Sequence, residues 1–565
     1  MAATIKGRIK QNALLRRERR LLIHEDRGVM TATESDRVSL TGPANISILN
    51  APNGNFAEYV PSLSTSSVQS TVLQSANERS EVSQSPFTIA STASNLVTLP
   101  TRSSSSPSRP ASLVAPIQAE LGPVMIYLDY VFPFLFPFYQ PSLLETGRQW
   151  VLGLLCQNEA SFYIAASLGA YFFSIVPQQD GQDMHDDCKA LVRNKLVEQM
   201  DKALRSIQST VLAMNHRGAA QSPLLEKARI MEEITQLLIV EVTVRTNVEW
   251  KIHLTPALVL FDEIFKSHGI DRLEPSLAIL LSALPSSIPI STPHHKPLPY
   301  TADQSTLVFF VSLLLFVDIV ASTSLGAPPA LQSYHHSLLS PQADGNCRVR
   351  LENVIGCQNW ALVAIGNISA LCAWKRDAQQ YGNFSVVHLV NLAAPISQAI
   401  EEGLTSLDFD AARSQTKKVS ASRLEAYYSR LDRAIDGTVT ANVTRIWAYA
   451  AKIYLSICHS GWQTNSTDIQ ASVAKILSLL QTIESLAQLR SLSWPICVAG
   501  CLALKSQEDD FRRIIGIMGQ LGDFGTVSNA LRIMEAGWSF RDTVDGNVWD
   551  IASSFGIFGS PALLF

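Results

Sequence analysis

KALVRNKLVEQMDKALRSIQSTVLAM, residues 189–214, shows the helical period most clearly. Its apolar side chains recur every three or four residues, which places them on one face of an α-helix: Val192, Leu196, Met200, Ala203, Ile207 and Val211. A second stripe with this spacing lies nearer the carboxyl end, at Val473, Ile476, Leu480, Ile483 and Ala487. Both stripes predict amphipathic helices that pack against other helices.

The helical period dominates the ordered part of the chain. Pro223 suits the first turn of another helix over residues 224–243. Breakers separate the helical segments, and they lie at residues 286–299, residues 326–329, Gly382-Asn383 and Asp436-Gly437. Only short runs such as residues 239–244 are ambiguous with a β-strand. We therefore predict an all-α fold in which packed helical hairpins form one large domain over residues 123–565.

The most apolar run, TLVFFVSLLLFV, covers residues 306–317 and is followed by Asp318. A helix needs about 20 apolar residues to span the hydrocarbon core of a bilayer. A span extended through Asp318 would place a carboxylate near the bilayer centre, where it is costly. We predict a buried core helix here and no membrane partner.

Composition indicates a large apolar interior in an intracellular protein. Hydrophobic residues make up 47% of the chain and charged residues 17%. The cysteines lack the short spacings of a disulfide scaffold, and the first residues are basic and polar rather than those of a secretory signal. Reduced thiols are therefore expected.

Residues 1–27 form a basic segment in a chain whose formal net charge is −4. Seven cations near its start oppose Glu18, namely Lys6, Arg8, Lys10, Arg16, Arg17, Arg19 and Arg20. Three interpretations remain open: a solvated tail, a nuclear import signal, or a contact with the DNA phosphate backbone. These seven residues are the candidate import or DNA-contact site.

Residues 28–122 are rich in Ser, Thr, Asn and Pro and have no sustained apolar period. Such a composition does not bury enough apolar surface to offset the entropy of ordering the chain. We predict a disordered linker. A tail regulated by phosphorylation at Ser85 or Ser106, each followed by Pro, is the alternative.

The motifs of common enzymes are missing from the sequence. It contains no GxxxxGK[ST] phosphate loop, no GxSxG elbow and no HExxH zinc motif. The pairs His294-His295 and His335-His336 are interpreted as surface histidines, because adjacent imidazoles on a helix point in different directions. Cys497 and Cys501 are interpreted as buried small residues. We therefore assign no catalytic residue and no metal ligand, and leave cofactor-binding residues unassigned.

Several segments together resemble the regulatory region of fungal binuclear zinc cluster transcription factors, in the subgroup of acriflavine-sensitivity regulators. The resemblance covers residues 124–565 and follows the family's order of segments: YLDYVFPFLFPFYQP at 127–141, GRQWVLGLL at 147–155, ASFYIAASLGAYF at 160–172, FFVSLLLFVDIVASTSLGAPP at 309–329, IGCQNWALVAIGNISALCAWK at 355–375, RIWAYAAKIYLSI at 445–457, WPICVAGCLA at 494–503, then Trp538, Trp549 and GIFGSPALLF at 556–565.

The resemblance implies a nuclear transcription regulator that controls a metabolic or biosynthetic gene set through its helical domain and is not an enzyme. Other transcription factors or co-regulators, a second copy of the chain and a small-molecule effector are its expected partners. Two alternatives remain: a partner of a zinc cluster factor that does not itself bind DNA, and a cytosolic scaffold or enzyme on the same fold.

The sequence departs from the family at its DNA-binding unit. That unit uses six cysteines, in a repeated C-x2-C-x6-C pattern, to hold two zinc ions. No cysteine precedes Cys156. Either the chain has lost this unit or a first exon is missing from its gene model. We therefore expect no cofactor, with zinc only if such a cluster exists, and no sequence-specific DNA contact by this chain.

Overall fold

A computed structural model of the chain describes residues 121–565, except 142–146, 176–182, 218–222, 245–249, 269–276, 285–299, 342–347, 415–436, 542, 544, 545 and 547. None of the described residues lies in a β-strand, and the predicted all-α fold is confirmed. The helices are α1 Leu121–Leu135, α2 Gln149–Gln157, α3 Glu159–Ile175, α4 Asp183–Arg217, α5 Leu224–Val244, α6 Lys251–His268, α7 Leu277–Ala283, α8 Ala302–Leu325, α9 Gln332–Leu339, α10 Glu352–Ile355, α11 Asn359–Gln380, α12 Val386–Ser414, α13 Gly437–Ser460, α14 Thr467–Leu480, α15 Leu486–Arg490, α16 Ser493–Cys501, α17 Glu508–Gly516, α18 Val527–Phe540 and α19 Ile551–Phe555.

Helix α4 contains the first of the two predicted apolar stripes. Leu196, Met200, Ala203 and Ile207 are buried, and Val192 and Val211 are partly buried against the same core. This face packs on α3, so the predicted amphipathic helix is confirmed. Pro223 directly precedes α5, which also contains the ambiguous residues 239–244.

Helices adjacent in the chain pack as hairpins around a common core. The pairs are α3 with α4, α5 with α6, α11 with α12, and α13 with α14. Their buried apolar side chains form one continuous cluster. Helix α8 contacts α2, α5, α6, α11 and α19, and is therefore the central element of this arrangement.

The apolar run of residues 306–317 lies within α8. Over an 18-residue window this helix has a mean hydropathy of 2.2, enough by length and composition to cross a membrane, but 94% of the window is buried inside the protein. The predicted core helix is confirmed. Thr301 and Gln304 cap its start reciprocally, and Gly326, with a φ of +61°, ends it.

Helix α1 carries the aromatic opening of the ordered region. It begins at Leu121 and contains a π-helical turn at Tyr127–Val131. Phe309 of α8 is surrounded by Phe132 of α1, by Tyr139 in the segment after α1 and by Trp150 of α2. The ring centroids of these residues lie 5.8 Å, 4.8 Å and 5.0 Å from that of Phe309. This cluster attaches the first described helix to the central one.

The second predicted stripe extends beyond its helix. Val473, Ile476 and Leu480 are buried on α14, as predicted, but α14 ends at Leu480. The backbone N–H of Thr482 and of Ile483 bond carbonyls three residues earlier, and this tighter pattern terminates the helix. The prediction that Ile483 and Ala487 continue this helix was therefore wrong.

Candidate functional site

The seven cations predicted as an import or DNA-contact site, Lys6, Arg8, Lys10, Arg16, Arg17, Arg19 and Arg20, lie outside the described residues. Of the linker predicted over residues 28–122, positions 28–120 lie outside them too, as does the pair His294-His295, whereas Leu121 and Gly122 belong to helix α1. The site that the described residues do provide is a cleft that sequence patterns did not indicate.

The cleft lies where the junction of α2 and α3 meets α4 and the start of α5. Its volume is about 400 Å³, within the usual range for small-molecule sites. Most of the lining surface is apolar, although eight of the eleven lining residues have polar or charged side chains. The lining residues are Gln157, Asn158, Glu159, Ser206, Thr210, Pro223, Leu225, Glu226, Arg229, Ile230 and Glu233.

Asn158 connects two sides of this cleft. Its backbone is extended between α2 and α3, and its Oδ1 accepts a hydrogen bond from the N–H of Ser161 at 2.9 Å, which caps α3. Its amide nitrogen donates to Oε1 of Glu233 on α5. One side chain therefore fixes both the start of α3 and a carboxyl group of the cleft.

Glu233 is a buried carboxyl group with incomplete charge compensation. Its residue is 8% exposed, and burial raises its pKa although the Asn158 hydrogen bond and the Arg229 charge both lower it. Next to it, Glu232 is 3% exposed, and burial raises its pKa well above the usual value. Burial therefore disfavours the charged form of both carboxyl groups.

Arg229 is the cation of the cleft. It donates to Oε1 of Gln157 at 2.8 Å, and its Nη2 lies 3.7 Å from Oδ1 of Asp303, in the first turn of α8. The cleft is thereby linked to the central helix. With three glutamates and one arginine in the lining, it suits a neutral or cationic ligand that has hydrogen-bonding groups better than an anionic one.

The prediction that His335 and His336 both lie on the surface is wrong for His335. It lies on α9 and is 4% exposed, while His336 is exposed. Neither ring nitrogen of His335 has a hydrogen-bond partner among the described residues, and burial lowers its pKa to about 4. The pattern failed here because the packing of α9 on α11, which buries His335 beside Gly366, depends on residues distant in sequence.

The cysteine pair in WPICVAGC is buried as predicted. Cys497 and Cys501 lie one turn apart on α16 and are 0% and 3% exposed. No group of three or more potential metal-ligating side chains occurs within the described part of the chain.

Comparison with known proteins identifies the family. A model described as the fungal specific transcription factor domain matches residues 123–554. The chain belongs to this family. The resemblance of residues 124–565 is thereby confirmed, and the helical array is a fungal specific transcription factor domain. The chain is accordingly a transcription regulator.

Related proteins are also named as transcription factors or transcription regulators. The chain is 62% identical over 578 residues to "Transcription factor dibT" of Pestalotiopsis microspora, covering 100% of this chain and 91% of the relative. It is 24% identical to "Pestheic acid cluster transcriptional regulator 3" of Pestalotiopsis fici (76% of this chain, 72% of the relative). It is 26% identical to "Trichothecene biosynthesis transcription regulator TRI10" of Trichoderma arundinaceum (70% and 86%). No solved structure matches the chain significantly.

Sequence reasoning identified the fungal specific transcription factor domain but missed its cleft. Asn158 and Glu233 lie 75 positions apart, and neither belongs to a motif. The available signal was the series Glu226, Arg229, Glu232 and Glu233, which concentrates charges in the first half of α5.

Proposed function

We propose that the chain works in the nucleus to control a biosynthetic gene set, by binding rather than by catalysis. The observation that carries this proposal is the 62% identity over the whole chain to a protein named as a transcription factor. Two further relatives are named as regulators of pestheic acid and trichothecene biosynthesis. These names support a gene set for a specialised metabolite as the target.

The proposed organisation has three parts: a basic segment at 1–27, a linker at 28–122 and the helical domain at 123–565. The basic segment directs nuclear import, with Lys6, Arg8, Lys10, Arg16, Arg17, Arg19 and Arg20 as its cations. The helical domain binds other transcription factors or co-regulators and pairs with a second copy of the chain.

Deletion of the encoding gene tests the regulatory role. Transcripts of the biosynthetic cluster are expected to change in the deletion strain and to return with the full chain. A variant in which Arg16, Arg17, Arg19 and Arg20 are replaced by Gln should restore them less and stain in the cytoplasm. Lys266→Gln, a highly exposed cation on α6, is the control. Unchanged transcripts in the deletion strain would contradict the role.

The cleft around Glu233 is proposed as the site of a small-molecule effector. Its volume, the polar side chains among its lining residues and the link through Arg229 to Asp303 on the central helix support this assignment. An organic extract of the producing culture should raise the Tm of the purified chain, and Glu233→Gln should reduce that shift. Glu402→Gln, on the exposed side of α12, should leave it unchanged. An equal shift in both variants would place the effector elsewhere.

A second candidate is a partner of a zinc cluster factor that does not bind DNA itself. The specific observation that favours it is that no cysteine precedes Cys156 in this sequence. The chain should then co-purify with a zinc cluster protein from nuclear extract and shift promoter DNA only in its presence. A tight shift by the purified chain alone, abolished by a zinc chelator, would rule this candidate out.

A further inference from the structure

The first half of helix α12 contains no acidic residue, lysine or arginine. Its residues 386–400 read VVHLVNLAAPISQAI, and the first acidic residues, Glu401 and Glu402, follow directly. A helix on the surface of a protein usually presents charged residues on its outer side, whereas a helix with apolar residues on all sides is normally buried. The composition of this half of α12 is therefore closer to that of a buried helix.

One side of α12 packs against the neighbouring helices α11 and α13. Gly403 lies directly against the ring of Trp360 on α11, where a Cβ atom would come within 2.5 Å of the ring. The Lys452 ammonium of α13 lies 2.6 Å from the Glu401 carboxylate. These contacts fix which side of α12 faces inward, and the buried residues on that side recur at helical spacing: Leu389, Ala393, Ile400, Leu404 and Leu407.

The opposite side of the first half is an exposed apolar strip. Val386, Val387 and Val390 are 63%, 71% and 54% exposed, and Ala394, one turn further on, is exposed too. Their spacing of one, three and four residues places these four side chains on one face, which we call the α12 strip. Tyr381, in the turn before α12, is also 71% exposed. The α12 strip therefore faces outward from the described part of the domain.

Exposed apolar residues on α4 have different surroundings. Leu191, 71% exposed, lies two residues before Arg193. Leu204 follows Lys202 by two residues and directly precedes Arg205. Single apolar residues among charges are normal on a protein surface and need no partner. The α12 strip differs because three large apolar side chains lie together without such charges between them.

We propose that the α12 strip is the surface through which the chain pairs with a second copy, with the two α12 helices antiparallel across a two-fold axis near Val390. Because the strip is uncharged, two copies meet there without repulsion between like charges. An axis at Val390, the middle of the strip, places Val386 of one copy beside Ala394 of the other, a large side chain against a small one. Glu401 and Glu402 lie roughly 16 Å or more from Val390 along the helix, outside this contact.

The area of this surface suits the core of a dimer interface. The three valines of the α12 strip and Tyr381 together expose roughly 400 Å². Burial of these side chains in both copies would remove roughly 800 Å² from water, about half of a standard interface of about 1,600 Å². Exposed neutral residues beside the strip, Asn391, Pro395 and Gln398, extend the same surface. An apolar centre with polar residues around it is the usual anatomy of an interface.

Sedimentation of the purified full chain over a range of concentrations tests the pairing. The wild type should have the mass of two chains and dissociate on dilution. Val390→Glu should raise the Kd about 100-fold, because one substitution places two carboxylates beside the axis of a symmetric apolar contact. Leu191→Glu, at an apolar residue of α4 that is at least as exposed, is the matched control and should leave the Kd unchanged. The Tm of each variant reports whether it folds.

A lysine at the same position makes the test specific for pairing between copies. Val390→Lys should also be monomeric alone, but an equimolar mixture with Val390→Glu should recover a dimer, because opposite charges then meet near the axis. A wild type that stays monomeric at every concentration would overturn the proposal and would mean that something other than a second copy covers the α12 strip. A dimer unaffected by Val390→Glu, or a mixture that stays monomeric, would also overturn it.

The regulatory role of this pairing rests on the proposed transcriptional function, whereas the pairing itself does not. In cells, Val390→Glu should lower the output of a reporter for the biosynthetic gene set, and co-expression of Val390→Lys should restore it. A reporter that does not respond to the wild type contradicts the transcriptional function but leaves a dimer in solution intact. A Val390→Glu variant that is monomeric yet as active as the wild type contradicts only the regulatory role of pairing.

Discussion

Asp318, inside the most apolar helix of the protein, accepts a hydrogen bond at 2.8 Å from the backbone N–H of Leu331 at the start of α9. Its other oxygen accepts from the N–H of Ala330 at 3.0 Å. The carboxylate therefore satisfies two backbone donors at the turn after α8. This role explains a charge that the apolar run alone would not predict.

Asp318 should make the stability of the fold depend on pH. Burial raises the pKa of Asp318 from 3.8 to about 6, although both backbone hydrogen bonds lower it. The folded state therefore binds this proton more tightly than the unfolded state, and stability falls as pH rises from about 4 to about 6. Relative to Asp318→Asn, the wild type should lose about 3 kcal/mol across that window. Urea unfolding at a series of pH values measures the difference, and parallel profiles would refute it.

His335 should make stability depend on pH in the opposite direction from Asp318. Its pKa is lowered by burial from 6.5 to about 4, so the unfolded state binds the proton more tightly. The stability that neutral His335 contributes is full above about pH 6.5 and is lost as pH falls towards 4, by about 3 kcal/mol. His335→Leu should remove this loss and also relieve two buried nitrogens without partners in the described structure. His336→Gln, at the exposed neighbour, should keep the wild-type profile.

How far the sequence predicted these features depends on the range of the contacts involved. The helices followed from local periods, because Leu196, Met200 and Ile207 repeat on one face of α4 whatever their partners. The roles of Asp318 and His335 depend instead on packing between α8, α9 and α11. The spacing of apolar residues along the chain carries no information about such contacts.

The candidate site was predictable only in part, for the same reason. The basic residues near the start could be named from composition alone, and they remain a prediction. The cleft required Asn158 and Glu233 to meet across 75 residues. Only the charges in the first half of α5 indicated that this part of a largely buried helix borders the cleft.

Two stacked tryptophans provide a comparison of hydrogen-bonded and unbonded indoles. Trp447 and Trp494 stack with ring centroids 5.3 Å apart, and both are 0% exposed. Trp494 donates to Oγ1 of Thr323 at 2.9 Å, whereas the indole N–H of Trp447 has no partner among the described residues. Trp494→Phe should cost about 1–2 kcal/mol more than Trp447→Phe, since only the former loses a hydrogen bond. Equal free energies of unfolding for the two variants would contradict the hydrogen bond between Trp494 and Thr323.

Two glycines inside helices should respond to alanine in opposite directions. A Cβ at Gly500 of α16 would lie 1.8 Å from Sδ of Met534, so Gly500→Ala should destabilise the protein by about 1–3 kcal/mol through overpacking. A Cβ at Gly537 of α18 would meet nothing within 4 Å. Gly537→Ala should stabilise by up to about 1 kcal/mol, because alanine is the better helix former. Thermal unfolding of both variants checks the pair, and a shift of the same sign in both would contradict the packing described here.

Asn158 offers a test of the cleft that separates its two hydrogen bonds. Asn158→Asp should keep the cap on α3 but replace the amide donor with a carboxylate facing Glu233. The two carboxyl groups should then share a proton at low pH and repel one another once it is lost. We expect Asn158→Asp to match the wild type near pH 5 and to be about 2 kcal/mol less stable near pH 8. Asn158→Ala loses the cap at both pH values and should cost about 1 kcal/mol or more throughout. Urea unfolding at both pH values distinguishes the variants, and a pH-independent loss in Asn158→Asp would mean that Glu233 does not face residue 158 in solution.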